Sequence, residues 1–212
     1  MDAAIYAQKI DSNGNIQWLI DGVAICTYGA GAVSPKICSD GAGGAIITWA
    51  DYRSGNSDVY AQLVDSNGNT QWTPNGTDIC TANSYQAEPQ ICSDGAGGAI
   101  ITWHDYRGGL DYDIYAQKID SSGNGQWIAD GVVICNASNL QTSPQICNDG
   151  AGGAIITWID YRTGNSDIYA QLVDSSGDVQ LKENGLAISI VNGDQEYPQI
   201  CGDEGGNAII TW

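Results

Sequence analysis

The tetrapeptide Ile/Val-Tyr-Ala-Gln begins at Ile5, Val59, Ile114 and Ile168, and the run Ala-Ile-Ile-Thr-Trp ends at Trp49, Trp103, Trp158 and Trp212; both series are spaced 54, 55 and 54 residues apart. Between them recur Asp-Ser-Asn/Ser-Gly at Asp11, Asp65, Asp120 and Asp174, and Ile-Cys-x-Asp at Ile37, Ile91, Ile146 and Ile200. A period of this length carried through the whole chain makes each repeat one supersecondary unit, able to bury its apolar surface only against its neighbours.

Residues 34–80 show what that unit is. Pro35 to Ser39 reads as a short strand, followed by the turn Asp40-Gly41-Ala42-Gly43-Gly44. Ala45 to Trp49 is β-branched and aromatic, which suits a pleated, half-buried surface. A loop from Asp51 to Ser57 leads into Asp58–Val64, and Asn67-Gly68 is a strong hairpin signal. The fourth strand is expected from Gln71-Trp72 through Gly76 to Cys80. No stretch keeps a helical spacing of apolar residues over three turns. The fold class is all-β, and four antiparallel strands per repeat predict the blades of a β-propeller. The chain, 1–212, reads as one propeller domain with blades at approximately 34–80, 88–135, 143–189, and 198–212 plus 3–26. The N-terminal piece supplies a third and fourth strand and the C-terminal piece a first and second. Pairing of the two would close a four-bladed ring and hide its strand edges. The alternative is an eight-bladed ring made by two chains.

The motif Pro-x-Ile-Cys-x-Asp-Gly-Ala-Gly-Gly-Ala-Ile-Ile-Thr-Trp-x-Asp-Tyr-Arg-x-Gly, followed by Asp-Ile-Tyr-Ala-Gln, resembles tandem β-propeller repeats of large bacterial secreted and surface proteins, and the resemblance covers the whole chain. It implies the fold and a secreted or cell-surface address, but no activity. Repeat four departs from the pattern: Leu181 replaces the tryptophan of Trp18, Trp72 and Trp127, Ser189 replaces a cysteine, and 202–207 varies the first turn. Repeat sequence begins by Ile5, leaving no room for a signal peptide, and both ends are abrupt, as in a segment of a longer protein.

With 25 acidic against 7 basic residues the formal net charge is −18, which opposes binding to nucleic acid or anionic lipid. No apolar run approaches the roughly 18 residues of a membrane helix, so no membrane insertion is expected. The partners expected are a protein or a glycan, with a monomer favoured over a homodimeric ring.

The three arginines, Arg53, Arg107 and Arg162, each follow a tyrosine, Tyr52, Tyr106 and Tyr161, in the loop after the second strand. A ring of such pairs on one propeller face offers aromatic platforms and planar donor forks for sugars or carboxylates, and these six residues are the candidate ligand-binding set. The plainer reading is that each arginine braces its loop against Asp51, Asp105 or Asp160, or against Asp58, Asp113 or Asp167. The cysteines fall 12 residues apart as Cys26/Cys38, Cys80/Cys92 and Cys135/Cys147, with Cys201 alone, and are either disulfides or small buried residues. No cysteine or histidine spacing suits zinc, and Asp11-Ser12-Asn13-Gly14-Asn15 lacks the later ligands of a calcium loop, so neither a metal nor a cofactor is expected. The single histidine, His104, stands where other repeats have Ala50 and Ile159 and reads as a surface residue without an adjacent nucleophile. The connections between blades vary on a constant scaffold, as binding loops do. The expectation is a non-enzymatic binding or scaffold module. Its alternative is a lectin-like carbohydrate-binding propeller, and a hydrolase or lyase would need a non-repeated acid–base pair in the central channel.

Overall fold

The computed structural model describes residues 3–29, 31–203 and 205–212. Met1 and Asp2 at the start, Ala30 in the first interblade connection and Glu204 in the last glycine turn lie outside the described residues. The fold is all-β. A two-stranded antiparallel hairpin of β1 (Ile5–Ala7) and β2 (Val23–Cys26) comes first. Three four-stranded antiparallel blades follow: β3 (Ala32–Ser39), β4 (Ala45–Asp51), β5 (Asp58–Val64) and β6 (Thr77–Cys80); β7 (Gln86–Ser93), β8 (Ala99–Asp105), β9 (Asp113–Ile119) and β10 (Val132–Cys135); β11 (Gln141–Asn148), β12 (Ala154–Asp160), β13 (Asp167–Val173) and β14 (Leu186–Ser189). A last hairpin, β15 (Gln199–Gly202) and β16 (Ala208–Thr211), ends the chain.

The middle strands of each blade pair along their full length, so that Trp49 lies opposite Tyr60, Trp103 opposite Tyr115 and Trp158 opposite Tyr169. The three indoles are fully buried. Each needs a glycine across from it: a Cβ on Gly76 would lie 2.5 Å from Trp49, one on Gly131 2.6 Å from Trp103, and one on Gly185 2.5 Å from Trp158. Those glycines, at φ near +90°, also interrupt the fourth strand, which is shorter than the sequence suggested. The segment from Gln71 to Gly76 is a turn and not a strand, because Asn75 and Gly76 both take left-handed backbone.

Apolar side chains pack between blades, as expected of units that cannot fold alone. Ile46, Val59 and Ile79 of one blade meet Ala99, Ile101 and Ile119 of the next, and Ile100, Ile114 and Ile134 meet Ile156 and Val173. The first hairpin packs Ile5, Val23 and Ile25 against Ile47 and Val64. A second fastening repeats outside this core. Trp18, Trp72 and Trp127 lie on Gly68, Gly123 and Gly177 of the following blade and donate from Nε1 to the carbonyls of Ser66, Ser121 and Ser175 at 3.0–3.2 Å.

The first strands β3, β7, β11 and β15 neighbour one another in that order and define an axial cleft. The pairing of terminal strands expected from the sequence is not present: the described β1–β2 and β15–β16 hairpins form separate two-stranded sheets. The blades are therefore an open array of three complete members flanked by two halves.

Candidate functional site

The first strand of each four-stranded blade carries a bulge at its proline. Register breaks between Val33 and Lys36, Ala87 and Gln90, and Thr142 and Gln145. The residues just before the prolines, Ser34, Glu88, Ser143 and Tyr197, have φ of +54°, +50°, +52° and +58°. A residue before proline ordinarily stays extended, and a side-chain-bearing residue in left-handed backbone costs on the order of 1–3 kcal/mol. Bulges re-aim side chains and concentrate beside functional sites.

Three of these residues meet at one cavity of about 310 Å³ between β7, β11 and the start of β15, lined among others by Glu88, Ser143, Tyr161, Glu196 and Tyr197. Both of its carboxylates are departures from the repeat. Glu88 stands where other repeats have Ser34, Ser143 and Tyr197, and Glu196 where they have Val33, Ala87 and Thr142. His104, the other singular residue, lies behind Glu88 and contradicts the surface position expected for it: it is buried, 3.1 Å from Thr142 Oγ1 and 3.7 Å from Glu88 Oε2, against the Tyr112 ring at 4.4 Å. Burial lowers its pKa, and the opposing fields of Glu88 and Asp105 do not restore it. A neutral imidazole therefore backs Glu88. The cavity can hold a small, hydroxyl-rich molecule between two carboxylates and two tyrosines. Two acidic side chains facing one opening are the minimal equipment of glycosidic acid–base chemistry.

The Tyr-Arg loops are built as braces. Arg53 Nε and Nη2 donate to Asp51 at 2.9 and 2.6 Å, Nη2 also reaches the carbonyl of Asn75 at 2.7 Å, and the guanidinium lies 3.9 Å over the Tyr60 ring. Arg162 repeats the set with Asp160, Asn184 and Tyr169, and Arg107 does so with Asp105, Asp130 and Tyr115 through Nη2. Asp51, Asp105 and Asp160 are buried and also accept from the indoles of Trp49, Trp103 and Trp158. Burial pushes the Asp51 carboxyl up, but the bonds from Arg53 and Trp49 outweigh it and hold it below the ordinary value. Of the six candidates, Tyr161 lines the cavity; Tyr52 is exposed, Tyr106 packs on Tyr112 at 5.1 Å, and the arginines are engaged as described.

All seven cysteines are free. Cys26, Cys80 and Cys135 sit beneath the arginines, with Nη2 3.1–3.4 Å from each sulfur, so a disulfide to the cysteine 12 residues on does not form. Burial raises the Cys80 and Cys135 thiols to about 12, which leaves them protonated and unreactive. The Asp-Ser-Asn-Gly segments are turns: Asp11 Oδ1 accepts from the amides of Asn13 and Asn15, and Asp65 repeats the pattern.

Glu88, Glu196 and Tyr197 are missing from the residues that the sequence singled out. The available signal was departure from the repeat column, the same test that exposed His104, applied one or two residues beyond the variable connections.

No family model and no curated protein matches the chain. Solved structures do. The α-L-arabinanase of Penicillium chrysogenum, solved with arabinobiose, superposes over 96% of this chain and 60% of its own with a TM-score of 0.50 at 14% identity. The endo-arabinase of Bacteroides thetaiotaomicron covers 79% of this chain and 65% of its own, with a TM-score of 0.49 at 15% identity. The chain thus spans less than two thirds of either. The likeness shows the fold, and it overturns the expectation of a non-enzymatic scaffold drawn from repetition alone. This arrangement of sheets is shared with a sugar-cleaving enzyme, and the axial cleft holds the non-repeated carboxylates whose absence that expectation assumed. No helix among the described residues is long and apolar enough to cross a membrane.

Proposed function

We propose that the chain is a carbohydrate-active propeller module, of secreted or surface origin, that cleaves glycosidic bonds at the axial cleft. Glu88 and Glu196 act as the carboxylate pair, one protonating the departing glycosidic oxygen and the other activating water or stabilising the anomeric carbon. His104 and Thr142 position Glu88 from behind. Tyr161 and Tyr197 offer flat faces on which a sugar ring can lie, and the braced Tyr-Arg loops hold the rim. Net charge of −18 suits a neutral glycan better than a polyanionic one. Arabinose-containing oligosaccharides are the first substrates to try, because the arabinanase of similar fold was solved with arabinobiose.

The observation that carries this reading is that Glu88, backed by His104, and Glu196 line one cavity of an otherwise repetitive scaffold. The test is release of reducing ends from a panel of neutral oligosaccharides. Wild type is expected to release them, and Glu88→Gln and Glu196→Gln are each expected to slow release by about 100-fold or more. Absence of release from every substrate, or rates unchanged in both variants, would remove the proposal.

A further inference from the structure

Departures from the repeat gather on one blade. Tyr85, Glu88, His104 and Tyr112 all belong to the blade of β7–β10 or to the connection that enters it. The complete blades on either side hold Gly31 and Leu140, Ser34 and Ser143, Ala50 and Ile159, and Ser57 and Ser166 in their places. Backbone bonds fix the outer two of these equivalences. The Tyr85 carbonyl accepts from the amide of Tyr106 at 2.8 Å, as those of Gly31 and Leu140 accept from Tyr52 and Tyr161. The Tyr112 carbonyl accepts from Gln141 as those of Ser57 and Ser166 accept from Gln86 and Gln195. The neighbouring blades fold without these side chains, so the blade's own packing does not require them.

Two of the singular residues are tyrosines, and both join tyrosines of the Tyr-Arg loops. The Tyr112 ring lies 5.1 Å from that of Tyr106, inclined by 57°, and 4.4 Å from the His104 imidazole. Ser84, the residue before Tyr85, accepts through its carbonyl from Asn56 Nδ2, in the loop that carries Tyr52. Ser57 Oγ of the same loop donates to the carbonyl of Gln86 at 2.6 Å. Burial raises the pKa of the Tyr112 phenol, and Tyr106, Tyr52, Tyr85 and Glu88 add to the rise in that order, as ionisable groups gathered around it do. Tyr106 and Tyr112 are half-buried, whereas Tyr52 and Tyr85 are 40% and 48% exposed. The group is an aromatic surface shared by two blades. It adjoins the axial cavity through His104 and Glu88, whose Nδ1 and Oε2 are 3.7 Å apart.

The chemistry of this surface selects its ligand. A tyrosine offers a flat apolar face to the C–H side of a sugar ring and a hydroxyl to its polar edge. Arg53 and Arg107, which follow Tyr52 and Tyr106, are committed to Asp51 and Asp105. An anionic sugar therefore finds no free counter-charge there, and Glu88 repels it. We infer that Tyr52, Tyr85, Tyr106 and Tyr112 form a second platform continuous with the axial cavity, which seats the outer residues of a neutral oligosaccharide while its inner residues occupy the cavity. The inference rests on the cleft reading above and makes the preferred ligand an extended chain, not a disaccharide.

The test is titration calorimetry with arabinobiose and a linear arabinohexaose, in the Glu88→Gln background so that neither is consumed. The hexasaccharide should bind about 10-fold or more tightly than the disaccharide. Tyr52→Ala and Tyr85→Ala, both at exposed positions, should keep the wild-type circular dichroism and each remove most of that gain, while Tyr85→Phe, which retains the flat face, should keep it. Equal affinity for the two lengths, no binding of either, or a gain that survives both alanine variants would overturn the inference. Release of reducing ends, measured in parallel on the protein with Glu88 intact, separates this result from the fate of the catalytic reading. A length gain lost in the alanine variants without any cleavage keeps the platform and removes the glycosidase; cleavage without a length gain does the reverse.

Discussion

Replacing Arg53 by alanine separates bracing from ligand binding in the Tyr-Arg loops. The guanidinium supplies two bonds to a carboxylate that is 1% exposed, one to the carbonyl of Asn75, and a face-on contact with Tyr60. Without it Asp51 keeps the indole of Trp49, the backbone amide of residue 53 and the weak thiol donor of Cys26. Removing one member of a buried ion pair costs about 3–5 kcal/mol, because the remaining charge is left without compensation. For a chain of this size that corresponds to a fall in melting temperature of about 6–20 °C. The pH dependence follows from the sign of the shift. In the wild type the Asp51 pKa is lowered, so its contribution is present above the unfolded value of 3.8 and fades as pH falls through the folded one. In Arg53→Ala only burial would act strongly, the carboxyl would titrate above its unfolded value, and the penalty would be largest at pH 7 and shrink towards pH 4. Thermal melts of both proteins at pH 7 and pH 4 measure this directly. A loss under about 1 kcal/mol at pH 7, or one that grows on acidification, would refute the brace.

Gly131→Ala should destabilise by about 2–5 kcal/mol, combining a left-handed residue with a Cβ 2.6 Å from Trp103 and 2.7 Å from the carbonyl of Ala116; Gly109→Ala, equally left-handed but with open space around it, should lose only about 1–2 kcal/mol by urea denaturation. Asp113 is raised to about 6, by burial first and then by the charges of Asp105 and Asp111, and it lacks the hydroxyl that Ser54 gives Asp58 and Thr163 gives Asp167. Gly108 occupies that position, with room for a Cβ 3.6 Å from the Asp113 carboxylate, so Gly108→Ser should add about 1 kcal/mol at pH 7 and little at pH 4, where the wild-type carboxyl is already protonated.

The sheets were legible because a period of about 54 residues repeats the same buried positions: Trp49, Trp103 and Trp158 announce middle strands by composition and spacing alone. The strand starts were not, since a proline predicts extended backbone before it, whereas Ser34, Glu88, Ser143 and Tyr197 all turn left-handed. The left-handed residue recurs before all four prolines whether it is serine, glutamate or tyrosine, so its identity gives no local signature. The cleft was hidden for a different reason. Repetition drew attention to Tyr52, Arg53 and their copies, residues that serve the complete blades, while the proposed site rests on Glu88 of one repeat and Glu196 and Tyr197 of another, each a departure from its repeat column. Closure was also beyond local pattern: the terminal strands match in sequence, yet the hairpins of residues 5–26 and 199–211 stand apart in the single chain.

The most direct test of the axial site is a crystal of Glu88→Gln soaked with arabino-oligosaccharide, the substitution being chosen to leave the sugar uncleaved. The account predicts sugar density between positions 88 and 196, against Tyr161 and Tyr197. Sugar seated only on the outer faces of the blades, with the axial cleft unoccupied at saturating concentration, would contradict it.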